Sequence, residues 1–166
     1  NLVTSYDDVK NLPEPDLYKC ERTLDRIRGA EYFQKLLKGT VPVKGWIEGP
    51  LAEACDLSGV SEFMIWLMTD PDLCNVLMDK CLAFGKKFAK AQIEAGCDLI
   101  GMGDAICSQI DAFTYDTFVK QRHTEIIDYI HHCGAEVKLH ICGNITHLLE
   151  SMKDVNTDLI DLDCQI

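Results

Sequence analysis

The sequence predicts an α/β fold with about four parallel strands, on two observations. Short apolar strand segments alternate with helical patterns from Val41 onward, and each intervening stretch is long enough for a crossover that returns the chain to a parallel neighbour. The spacing suits either a doubly wound sheet or part of a (β/α)8 barrel. A closed barrel takes about 250 residues. The chain has 166, and its last strand reaches the final residue with no helix after it.

Leu17, Leu24, Ile27, Phe33 and Leu37 fit helical spacing, and Gly39 stands where a helix-ending glycine belongs. "VPVKGWIEGP" reads as the first strand, ending near Glu48, and "LSGVSEFMIWLM" as a short buried helix in which Met64, Trp66 and Met68 pack. Asp70 caps the next helix with Pro71 in its first turn; Leu73, Leu77, Cys81, Phe84 and Phe88 form its buried stripe, and Gly96 stops it. "CDLIGMGDA" is a second strand that turns polar at Asp104. Asp111 caps a helix whose buried face is Tyr115, Phe118, Val119, Ile126, Ile127 and Ile130, closed by Gly134. "EVKLHIC", "NITHLLESMKDV" and "DLIDLDCQI" follow as strand, short helix and strand.

Composition excludes several functions. Sixteen basic against 27 acidic residues give a net charge of -11, and no Lys/Arg cluster forms the stripe that binds phosphate backbones, so nucleic acid is not an expected partner. No apolar run approaches the roughly 20 residues of a membrane span, and the first residues lack a signal core; the expectation is a soluble protein with no membrane partner. Nine cysteines, an odd number with no paired C-x-x-C, read as free thiols in a reducing cytoplasm. The first residue is not Met, which suggests a longer gene product.

In parallel α/β folds ligands gather at the carboxyl ends of the strands. Here those ends carry Glu48, Asp104, His140 with Cys142, and Asp161, Asp163 and Cys164. His140 and Cys142, two apart on a strand, leave the same face; imidazole and thiolate are both zinc ligands, and Gly143 frees the backbone to turn away. A catalytic zinc takes three protein ligands and keeps one position open, so a third is needed; within the chain Cys164, Glu48 or Asp104 could supply it. On spacing alone, H-x-C is more often two core residues than two ligands. Asp104 is flanked by small residues that leave space beside its carboxylate, although a helix or loop cap is the commoner use of such an aspartate. Glu48 reads equally as a solvated strand end, and His131, His132 and His147 as helix residues without a functional role.

The segments "WIEGPLAEACDLSG", "DPDLCNVLMDKCLAFGKKFAKAQIEAGCDLIGMGDA" and "LHICGNITHLLESM…TDLIDLD", in this order and spacing, resemble the uroporphyrinogen decarboxylase-like superfamily. More narrowly they are similar to its methylcobalamin:coenzyme M methyltransferase-like branch of corrinoid-dependent enzymes. The similarity runs from about Val41 to the end. It implies a partial (β/α)8 TIM barrel, with residues 1–166 as the central part of a single barrel domain about twice as long. It also implies that His140 and Cys142 are two zinc ligands, with a third cysteine beyond this chain.

The activity implied is transfer of a methyl group between a methylated corrinoid on a partner protein and a thiol or similar acceptor. Glu48 and Asp104 would then position the acceptor or complete the zinc shell. Two alternatives stand beside it. The first is a metal-free uroporphyrinogen decarboxylase, although that side of the superfamily lacks the H-x-C-G; the second is a non-catalytic module that docks a corrinoid protein. Open strand edges would add association with another copy, a homo-oligomer, unless the rest of the polypeptide covers them.

Overall fold

A computed structural model describes residues 1–163. Four strands, β1 (Lys44–Glu48), β2 (Leu99–Gly103), β3 (Glu136–Ile141) and β4 (Leu159–Leu162), form one sheet in the order β1-β2-β3-β4, every pair parallel. Each strand lies beside its neighbour in the chain and the order never reverses. A doubly wound sheet reverses at its switch point, so the singly wound order decides between the two architectures in favour of an arc of a barrel.

The two faces of the sheet differ, as the period-two pleat requires. Ile47, Ile100, Met102, Val137, Leu139 and Ile141 are buried beneath the helices. Trp46, Glu48, Lys138, His140 and Asp161 occupy the opposite, more open face. Ile160 shares a row with Ile47, Met102 and Leu139 yet stays 47% exposed, since among the described residues no helix follows β4 to cover it.

The helical layer is organised by α5 (Pro71–Glu94), which packs on α2 (Glu21–Leu37), α3 (Pro50–Ser58), α4 (Val60–Thr69), α7 (Lys120–His132) and β1. The Asp70 carboxylate accepts the Leu73 N–H at 3.2 Å, Pro71 takes the first-turn position, and Gly96 at φ 108° follows the C-terminus. Asp111 accepts the Thr114 N–H at 2.7 Å, and a π-type turn, Tyr115–Val119, leads into α7. These capped helices match the pattern in the sequence.

Three expectations change. The stretch from Leu57 to Met68 read as one buried helix belongs to two: its first residues end α3, an unexpected helix that starts at Pro50, and Gly59 at φ 90° separates this from α4. In α4 only Phe63 is buried, while Ile65 and Met68 face solvent, the latter 88% exposed; the helix has more apolar residues than α3 and α5 can cover. The helix expected from Leu17 begins at Glu21, and the left-handed turn at its end starts at Lys38, one residue before Gly39. "NITHLLESMKDV" divides into a 3-10 turn, Thr146–Leu148, and α8 (Leu149–Met152). A short α1 (Tyr6–Asn11), capped by Ser5, a 3-10 turn, Ala105–Gln109, and α6 (Ala112–Thr114) complete the described elements. None of the described helices is long and apolar enough to cross a membrane.

Candidate functional site

One register row crosses the carboxyl end of the whole sheet: Glu48 lies opposite Gly103, Gly103 opposite His140, and His140 opposite Asp161. Residues in one row of a parallel sheet share a face, so Glu48, His140 and Asp161 stand together on the open side. The Trp46 indole N–H donates to Glu48 Oε1 at 2.9 Å, and its ring lies 6.2 Å from the His140 ring, centroid to centroid. Gly101 and Gly103 make this possible: a Cβ at either would stand 2.5 or 2.6 Å from the indole. Burial is the largest influence on Glu48 and pushes its carboxyl above the usual range, with Asp56 and Asp104 adding to the shift; the Trp46 bond and His140 oppose it.

On β3, Lys138 Nζ lies 2.7 Å from Asp161 Oδ2. His140 Nδ1 is 3.3 Å from the same oxygen but outside hydrogen-bond geometry, so among the described residues this buried ring nitrogen has no hydrogen-bond partner. Cys142 follows the last residue of β3 and is partly exposed. Directly after it the chain bends at Gly143, φ 88°, whose N–H donates to Asp163 Oδ2 at 2.7 Å. A side chain at Gly143 would press within 3.1 Å of Ser108. The bend that carries the thiol is thus pinned from both sides.

Asp104 sits elsewhere. It follows Gly103, and its side chain is fully buried on the helical side of the sheet. Its Oδ1 accepts the Ala52 N–H at 2.8 Å, and its Oδ2 accepts the Leu51 N–H at 3.3 Å and pairs with His123 Nε2 at 2.9 Å. His123 Nδ1 in turn lies 3.0 Å from Tyr115 Oη. The expected open space beside Asp104 is therefore corrected: the small neighbours make room for the first turn of α3, and a Cβ at Gly49 would collide with the carboxylate. The main chain of Asp104 nevertheless reaches the row, its N–H donating to the His140 carbonyl at 3.0 Å.

Asp104, Cys107 and His123 bring one potential ligand atom each within 4.8 Å of one another. The chemistry of the trio is that of a closed core. Burial, reinforced by Asp104, pushes the Cys107 thiol well up and keeps it protonated, and both carboxylate oxygens are already bonded. No sequence spacing pointed to His123, which reaches Asp104 only through the packing of α7 on the sheet. Of the third ligands considered from sequence, Asp104 is thus engaged elsewhere, Glu48 shares the His140 row, and Cys164 lies outside the described residues.

A singly wound parallel sheet, covered by helices on one face and carrying its polar groups at the carboxyl end of the other, is an arc of a (β/α)8 barrel. The chain belongs to the uroporphyrinogen decarboxylase (URO-D) family, whose model matches residues 1–166. It is 30% identical over 139 residues to the methylcobamide:CoM methyltransferase MtaA of Methanosarcina barkeri, covering 84% of this chain and 41% of that one. It is 27% identical to a uroporphyrinogen decarboxylase of Arthrobacter sp. (strain FB24), covering 99% of this chain and 48% of the other. A solved methyltransferase from Methanosarcina mazei superimposes with a TM-score of 0.85 at 26% identity, over 92% of this chain and 45% of that one. The chain spans less than half the length of these relatives, and its likeness runs to the methyltransferase branch of the family.

Proposed function

We propose that the full-length protein is a corrinoid-dependent methyltransferase that moves a methyl group between a methylated corrinoid on a partner protein and a thiol or similar nucleophilic acceptor, with zinc held by His140 and Cys142. Residues 1–166 are the central part of its single barrel domain, and a further ligand comes from elsewhere in the polypeptide. The observation that carries this reading is His140 on the open face at the carboxyl end of β3, with the partly exposed Cys142 thiol directly after the strand on a bend held at Gly143. Nitrogen and sulfur donors fit zinc. Zinc, when bound, supplies a Lewis acid that lowers the pKa of a thiol acceptor.

The other residues have separate tasks. Glu48 holds the Trp46 indole through Oε1, which leaves Oε2 for the acceptor. Its raised pKa suits it to take up the proton an acceptor thiol gives up. Trp46, laid over Gly101 and Gly103, forms a flat apolar wall beside His140. Asp104 acts from behind the sheet by fixing the end of β2 and the His140 carbonyl. A reducing cytoplasm is the proposed setting, where the described cysteines, all free, remain thiols.

The test is metal content and methyl transfer of the complete gene product and of Cys142→Ser. Stoichiometric zinc with sulfur and nitrogen neighbours, lost in the variant together with transfer, is the expected result. Undiminished zinc and transfer in Cys142→Ser would sink the proposal. Chelator-insensitive decarboxylation of a tetrapyrrole would instead put the protein with the decarboxylases of its family.

A further inference from the structure

We infer that Asp161 is the positioning residue of the His140–Cys142 site: its carboxylate accepts a hydrogen bond from the Nδ1–H of His140, fixes the ring and leaves Nε2 as the ligand atom. This rests on the zinc reading above. Register supplies the first step, since His140 and Asp161 are direct partners across β3 and β4 and share the open face. Neighbouring strands run about 4.8 Å apart, so a short acid on one reaches a ring on the next. Asp161 Oδ2 already stands 3.3 Å from Nδ1, and a modest rotation of the ring closes a hydrogen bond.

Among the described residues nothing else on that face competes for the atom. Nδ1 is buried and has no other partner among them. Gly103, beside His140 on β2, offers no side chain, and Glu48 stands one strand farther and is engaged with Trp46. Trp46 approaches the imidazole with its ring, 6.2 Å away between centroids, while its N–H points to Glu48.

Lys138 gives the arrangement its rigidity. It lies two residues before His140 on the same face and holds Asp161 Oδ2 at 2.7 Å. A carboxylate held by an ammonium group is restrained from swinging toward the metal and becoming a ligand itself. A neutral imidazole carries one proton; placing it on Nδ1 frees the Nε2 lone pair, and a carboxylate acceptor also raises the basicity of that nitrogen. Lys138 and Asp161 thus form a support behind the His140 ligand that the H-x-C spacing alone does not reveal.

The experiment measures zinc affinity by chelator competition on the complete protein and on Asp161→Ala, Asp161→Asn, Lys138→Met and Cys142→Ser. Asp161→Ala is expected to weaken zinc by roughly 10- to 100-fold. Asp161→Asn, whose amide oxygen still accepts a hydrogen bond, should lose less, and Lys138→Met should fall between it and the unmodified protein. Wild-type affinity in Asp161→Ala, with zinc abolished in Cys142→Ser, would overturn this inference and leave the zinc reading intact; full zinc in Cys142→Ser would overturn the zinc reading itself. A second measurement needs no variant: magnetic-resonance coupling between a spin-active cadmium isotope at the site and isotope-labelled histidine. Coupling through Nε2, with Nδ1 protonated, supports the assignment; coupling through Nδ1 refutes it.

Discussion

Glu48 stands on the open face, yet its surroundings remove enough water to push its carboxyl above the ordinary 4.5, against the pull of the Trp46 N–H and of His140. A raised folded-state value means that the native protein holds this proton more tightly than the unfolded chain does. The stability it contributes is therefore complete below 4.5 and is lost as pH rises through the folded value. A Glu48→Gln variant keeps an oxygen for the indole and carries no such dependence. Its stability relative to the unmodified protein should rise between acid and neutral pH, as read by urea unfolding at both; a relative stability that falls with pH would refute the desolvation argument. The placement of Glu48 and His140 at strand ends, with Cys142 just after, was legible in the sequence because strand period and strand ends are local properties. The setting of Asp104 was not, since one step along the pleat decides which face a residue joins, and His123 arrives from another element altogether.

At the level of elements, the buried chain from Tyr115 through His123 to Asp104 ties α7 to the end of β2 and to the first turn of α3. Asp104→Ala leaves the N–H groups of Leu51 and Ala52 and a ring nitrogen of His123 without partners in a dry interior, a loss of about 3–5 kcal/mol. Tyr115→Phe removes one hydroxyl bond and should cost only about 1 kcal/mol. Urea unfolding of the complete protein checks the order, and equal losses would show that the three groups do not act as one chain. Trp46 depends on the two β2 glycines in the same way. Gly103→Ala should displace the indole, break its bond to Glu48 and cost about 1–3 kcal/mol through overpacking, with a change in tryptophan fluorescence as the signature. Helices with explicit caps, such as α5, were legible to within a residue. The break at Gly59 was hidden because α4 is apolar on nearly every side, so its pattern does not say which face is covered.

Across the whole molecule, burial separates two kinds of thiol. Burial pushes Cys55 and Cys74 up to about 12 and Cys97 to about 11, and drives Cys81 and Cys107 higher in the same direction. The thiolate is the reactive form, so these five core cysteines are inert toward alkylation at neutral pH while the fold is intact. Cys20, Cys133 and Cys142 are partly exposed, and the N–H groups of Thr23 and Arg22 at the start of α2 lower Cys20. Native labelling followed by peptide mass mapping should therefore modify Cys20, Cys133 and Cys142 and spare the core five until denaturant is added. Zinc adds a second division, because of the partly exposed thiols only Cys142 directly follows the strand that carries His140. Titrating zinc into the metal-depleted complete protein should slow alkylation of Cys142 while Cys20 and Cys133 react as before. Equal protection of all three would mean adventitious thiol binding. An unchanged Cys142 would return the His140–Cys142 pair to the role that its spacing alone first suggested, two residues of a strand end with no metal between them.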